Sequence, residues 1–161
     1  MTLEGQLPVL GHRNWIVVAD AAYPWQVSAG IETLDTGADH LEVLRVVLGA
    51  VERAQHVRAI AHLDAELPYV DEAHAPGVGA LRAALATALA NLEARVLPHE
   101  EIIRRLDEAG RAFRILLLKT TLALPYTSVF LQLDCGYWSA EAETALRRRM
   151  SDGLASGASA I

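Results

Sequence analysis

Two histidines and an aspartate carry the most specific chemical suggestion in the chain. In "LGHRNWIVVADAAYP", residues 10–24, His12 and Asp20 bracket an apolar run, and in "LPHEEIIRRLDEAG", residues 97–110, His99 opens a helical pattern behind Pro98. An imidazole can give or take a proton near neutral pH, and a carboxylate can accept hydrogen bonds from a polyhydroxylated ligand. A helix N-terminus carries partial positive charge that disfavours imidazolium, and a neutral ring there can accept a proton. Asp20 has an equally good local use in capping the turn at "DAAYP". Two histidines and a carboxylate also suit iron or zinc, but their spacing matches no short metal motif such as H-E-x-x-H. His40, His56, His62 and His74 occupy ordinary places for structural or solvated side chains. The chain contains neither G-x-S-x-G nor a phosphate-cradling glycine loop, so hydrolase and nucleotide-binding readings are weak.

Strands and helices must bring such residues together. The β-branched run "NWIVVADA" predicts a buried strand that delivers Asp20 to its end, and "IETLD" predicts a short extended piece. From Asp39 to Arg53, Leu41, Leu44, Leu48 and Val51 recur on one helical face behind a capping box of Asp39 and Glu42. "VRAIAHL" predicts a second strand, and "ELPYVDEAHAPGVG" a loop with solvated acidic residues. Leu81, Leu85, Leu89 and Leu92 predict a further helix, from which "EARVL" leads into Pro98 and the His99 helix, ending at Gly110. "AFRILLLKTTL" and "SVFLQLDCG" predict two strands joined through "ALPYT", with Tyr126 and Ser128 beside the junction. A charged helix is expected from Ser139 to about Met150, followed by a small, polar tail. Strands alternating with helices predict one α/β layered domain with helices on both faces of a buried sheet. Ligands in such domains gather at strand ends and helix N-termini, which selects Asp20, His99 and the "PYTS" junction together.

Composition narrows the classes. The chain has 161 residues, 52% hydrophobic and 21% charged, with a net charge of −6 and a mean hydropathy of +0.22. That size fits one domain, and that composition a compact globule. A net negative charge without interleaved basic and aromatic residues argues against nucleic-acid binding. The longest apolar run, "FRILLLKTTLALPYTSVFL", is broken by Arg114, Lys119 and Pro125, too soon for a membrane span. The N-terminus does not read as a signal peptide, and the single cysteine, Cys135, reads as a small core residue in a reducing cytoplasm.

Three of these stretches, in order, resemble the D-ribose pyranase and L-fucose mutarotase family of sugar isomerases. "LGHRNWIVVADAAYP" is similar to its opening "GH" and apolar strand ending in "AD" or "SDA". "LPHEEIIRRLDEA" is similar to the ribose branch's His-Glu-Glu helix start, and "KTTLALPYTSVFLQLDCG" to its closing strand pair around "PYAN". The order and spacing agree from about residue 9 to 138. The resemblance implies a mixed β-sheet covered by helices in one domain, residues 1–150, followed by a flexible tail, 151–161. It implies a cytoplasmic, cofactor-independent isomerase that interconverts cyclic forms of a monosaccharide by acid/base catalysis. It makes His12 the proton donor and Asp20 and His99 sugar-binding residues. Tyr126 and Ser128 take the "PYAN" contacts, and Asp64 an acidic place at a strand end. It further implies a ring-shaped homo-oligomer in which the "PYAN" segment is lent to a neighbour's pocket, with no nucleic-acid or membrane partner. The fucose branch carries arginine where His99 stands, although the longer middle section looks more like that branch. The helix before "GH" is missing or shortened, Thr121 replaces a glycine, and Ser128 replaces an asparagine, losing the amide's reach. This last change feeds an alternative: a non-catalytic sugar-binding or sugar-transport accessory protein.

Overall fold

A computed structural model describes residues 3–157. A four-residue helix α1 (Leu3–Gln6) and a 3-10 turn precede strand β1 (Trp15–Ala19), in agreement with a shortened N-terminal helix. There follow β2 (Ile31–Asp35), α2 (His40–Arg53), β3 (Val57–Asp64), α3 (Val78–Ala88), β4 (Glu93–Leu97), α4 (His99–Ala109), β5 (Ile115–Lys119), β6 (Val129–Cys135) and α5 (Ala140–Ala155). The six strands form one mixed sheet in the order β2-β5-β1-β6-β3-β4. Only β6 runs against its neighbours, pairing antiparallel with β1 (Val18 opposite Val129) and β3 (His62 opposite Phe130).

Strand periodicity divides the core between two faces. Ile16, Val18, Leu116, Leu131 and Leu133 point to the face covered by α2 and α3. Trp15, Val17, Ile115, Leu117 and Phe130 point to the face covered by α4 through Ile102 and Leu106. Both faces being buried explains why the central strands read as unbroken apolar runs. At α2 the Asp39 carboxylate accepts the amides of Leu41 and Glu42, as the capping pattern requires.

Four sequence expectations change. "EARVL" is not a lead-in but the edge strand β4, parallel to β3 with Leu97 opposite Asp64. The leucine stripe overshoots α3, which ends at Ala88; Leu89 caps it and Leu92 lies beyond. Pairing with β3 captures the chain where helical periodicity alone would continue. The C-terminal helix passes Met150 and runs to Ala155, so the expected flexible tail begins within a helix, and residues 158–161 lie outside the described residues. Cys135 is half-buried, because it ends β6 where the sheet meets solvent. No helix among the described residues is long and apolar enough to cross a membrane.

Candidate functional site

The mixed topology places the carboxyl ends of β1, β3, β4 and β5 at the same edge of the sheet as the start of β6. Asp20 follows β1, Asp64 ends β3, His99 begins α4 after β4, and Ser128 precedes β6. Five of the six expected site residues therefore gather at one end. A cleft of about 510 Å³ opens there, lined by Asp20, Tyr23, His99, Leu124 and Tyr126 among others.

His99 is held from two sides. Its backbone amide donates to both carboxylate oxygens of Glu66 at 3.1 Å. Glu66 thereby caps α4, whose own N-cap, Pro98, has no side chain able to do so. The imidazole Nδ1 lies 3.0 Å from each oxygen of Asp64. Nε2 makes no hydrogen bond among the described residues. Tyr126 meets the ring edge-on, with centroids 5.6 Å apart. It does so from a left-handed backbone conformation, φ 59°, at a cost of about 1 kcal/mol for a residue other than glycine.

The Asp64 side chain has no solvent exposure. Burial pushes its carboxyl up to about 6; the hydrogen bond and charge of His99 oppose the rise, while Glu66 and Asp20 add to it. Asp20 fills the capping role expected of it. One carboxylate oxygen accepts the Ala22 amide and caps the turn, and the other accepts the Ser128 hydroxyl at 2.7 Å. Ser128 in turn accepts the Asp20 amide at 3.1 Å. Ser128 is buried, 2% exposed, and its only proton goes to Asp20, so it steadies the aspartate from behind. Among the described residues, no group of three potential metal-binding His, Cys, Asp or Glu side chains comes together.

His12 does not join this cluster within one chain. It stands before β1 whereas Asp20 follows it, so the five-residue strand, about 13 Å long at roughly 3.3 Å per residue, lies between them. There His12 Nδ1 lies 2.8 Å from Asp134, which also accepts from Arg58 at 2.5 Å. A bend fixed by the Asn14 side chain on the Gly11 amide presents this histidine to solvent, and its side chain is 59% exposed.

Sequence reasoning missed three contributors. Glu66 sits in a loop whose acidic residues were expected to be solvated, yet it caps α4; in the same loop Glu72 accepts the amides of Gly77 and Gly79. Tyr23 is 3% exposed at the cleft. Burial, with Asp64 and Asp20 nearby, raises its phenol, whose proton goes to Gln26. His40, expected in an ordinary place, is fully buried beneath the site and bonds Thr120, which donates to the carbonyl of Ala19 next to Asp20. The D-x-E spacing of Asp64 and Glu66 at a strand end was the one available signal.

By sequence, no protein-family model and no curated protein matches this chain. By structure, it is similar to RbsD of Bacillus subtilis in complex with D-ribose, with a TM-score of 0.56 and 21% identity over 82% of this chain and 90% of that one. It is similar also to the fucose mutarotase of Streptococcus pneumoniae in complex with L-fucose, with a TM-score of 0.55 and 19% identity over the same shares. What is shared at these identities is the fold: a six-stranded mixed sheet between helices.

Proposed function

We propose that this chain is a sugar mutarotase or pyranase of the D-ribose pyranase and L-fucose mutarotase family, interconverting cyclic forms of a monosaccharide. The observation that carries the reading is His99, which lines a cleft with Asp20 and Tyr126 and is backed by the buried Asp64 carboxylate. The cleft lies on a fold whose solved examples hold ribose and fucose. With Asp64 ionised and accepting Nδ1–H, His99 Nε2 is a base. It takes the proton of the anomeric hydroxyl as the bond from the anomeric carbon to the ring oxygen breaks, and Asp64 steadies the imidazolium. A second proton must reach the ring oxygen. The open aldehyde then rotates and recloses by the reverse steps. Asp20 and Tyr126 orient the sugar by hydrogen bonds.

His12 is the proposed donor of that second proton, and with the length of β1 between His12 and the cleft, a second copy must supply it. The reading thus requires a homo-oligomer with sites between subunits. Saturation-transfer NMR on ribose and fucose tests it. Wild type accelerates exchange between ring forms, and His99→Ala and His12→Ala each lower it. A mixture of the two variants regains about a quarter of the wild-type rate by pairing intact halves. Absence of any acceleration with wild type discards the assignment.

A second reading is a sugar-binding protein without turnover. Ser128 favours it, since it stands where the family's asparagine would meet the sugar and its hydroxyl is turned to Asp20 instead. Calorimetric binding of a sugar without NMR exchange selects it.

A further inference from the structure

α5 has no buried residue along its whole length, Ala140–Ala155. Helices of about this length are marginal in water unless one face packs, and Gly153 lowers the helix propensity further. Leu146, Met150 and Leu154 recur every four residues, forming a stripe that is 40%, 48% and 77% exposed. By helical geometry Arg147 and Arg149 flank the stripe on opposite sides. Arg147 is held by Glu143, whereas Arg148 and Arg149 make no ion pair among the described residues. The helix thus presents an apolar seam edged with positive charge, with no residue of its own buried.

The same molecule carries a matching surface. A groove of about 520 Å³ runs between α2, α3 and the adjoining strands, floored by Leu48, Val51, Ala88 and Leu92. Glu52 and Glu93 edge it; Glu93 is met by Arg95 and Arg58, and Glu52 makes no ion pair among the described residues. Gly136 lines the groove three residues before the N-cap of α5. A Cβ on it would fall 2.5 Å from the Gln55 carbonyl oxygen and 2.8 Å from the Val57 amide, so the chain is pinned at the groove's mouth. The helix therefore springs from beside the groove it matches. A twofold axis there carries each helix into its partner's groove, since an isologous contact repeats itself.

We propose that α5 is an exchange arm that seats in the α2–α3 groove of a second copy of this chain. Leu146 and Met150 lie on the apolar floor, and Arg149 meets Glu52. The pairing is independent of sugar turnover and is read without sugar. Light scattering on the full chain gives an even number of copies. Met150→Glu halves that mass while the thermal unfolding of the core is unchanged. Arg149→Glu and Glu52→Arg each weaken association about tenfold or more, and the double exchange restores it. In a Cys135→Ser background, Leu48→Cys with Met150→Cys forms a disulfide between chains on mild oxidation. A monomeric wild-type chain, a mass unchanged by Met150→Glu, a disulfide closing within one chain, or a monomer that sediments with phosphatidylserine vesicles through α5 would each overturn the proposal.

Discussion

Strand β1 has a histidine–aspartate pair near each end, and the two differ in everything but residue type. At the carboxyl end His99 bonds a carboxylate with no exposure, and two other acids, Glu66 and Asp20, stand near enough to raise it. At the amino end His12 bonds Asp134, which keeps 23% exposure and has Arg58 and the Cys135 amide as further partners. Burial raises both carboxyls, but at Asp134 the Cys135 amide, Arg58 and His12 outweigh it and hold the group below its usual value. At Asp64 burial prevails and the carboxyl rises to about 6. The identical pair is thus a solvent-facing hydrogen bond at one end and, at the other, holds a carboxyl that changes protonation close to neutral pH. Environment, and not the presence of a histidine beside an aspartate, separates the two.

The largest effect that can break this contrast is at His99. His99→Ala is expected to lower exchange between sugar ring forms by about 10²- to 10⁴-fold, read by saturation-transfer NMR. An unchanged rate would leave the buried pair no chemical advantage over the exposed one. Next comes Asp64→Asn, which keeps an acceptor for Nδ1–H but loses the charge that steadies imidazolium. Its expected cost is about tenfold or more. The wild-type rate should also decline as pH falls below about 6, where Asp64 takes up its proton, and Asp64→Asn should move the midpoint of that decline. An unchanged midpoint in the variant would assign the titration elsewhere.

Stability sharpens the same comparison. The Asp64 carboxyl titrates near 3.8 ordinarily and near 6 in the folded chain, so the folded state holds more protons between those values. The stability contributed by this group is full below that window and is lost as pH rises through it. Thermal unfolding across the window should show wild type losing stability relative to Asp64→Asn as pH increases. Asp134 has the opposite sign, since its lowered carboxyl contributes stability that is lost on acidification. His12→Ala should change stability by no more than about 0.5 kcal/mol, because Arg58 and the Cys135 amide still hold Asp134. A larger loss would show that the amino-end pair is structural. A modest effect is expected from Tyr126→Phe. It keeps the ring against His99 and weakens sugar affinity a few-fold, as for one hydrogen bond of about 1 kcal/mol, measurable by calorimetry.

Much of the architecture was readable beforehand because burial on both faces writes itself into composition. β1, β5 and β6 are short apolar runs, and α2 and α4 carry one-faced stripes with a recognisable cap or proline at their starts. β4 was not readable, because "EARVL" is a mostly exposed edge strand whose only claim to be a strand is its pairing with β3. Of the site, Asp20, His99, Tyr126 and Ser128 could be selected as strand-end and helix-start residues, and Asp64 from the resemblance. Glu66 offered only its D-x-E spacing to Asp64 and Tyr23 no signal, since each acts through a neighbour distant in sequence or through burial.

Residue order by itself determined that a buried sheet would form between helices and that ionisable groups would stand at the ends of its strands, because periodicity and capping are local properties. Only the tertiary structure decided which of those groups meet. Strand direction sends Asp20, Asp64, His99 and Ser128 to one edge and leaves His12 at the other, and packing removes water from Asp64 but not from Asp134. Distance and desolvation are set by neighbours that the chain brings together from far apart, and they decide which carboxylate can exchange a proton near neutrality.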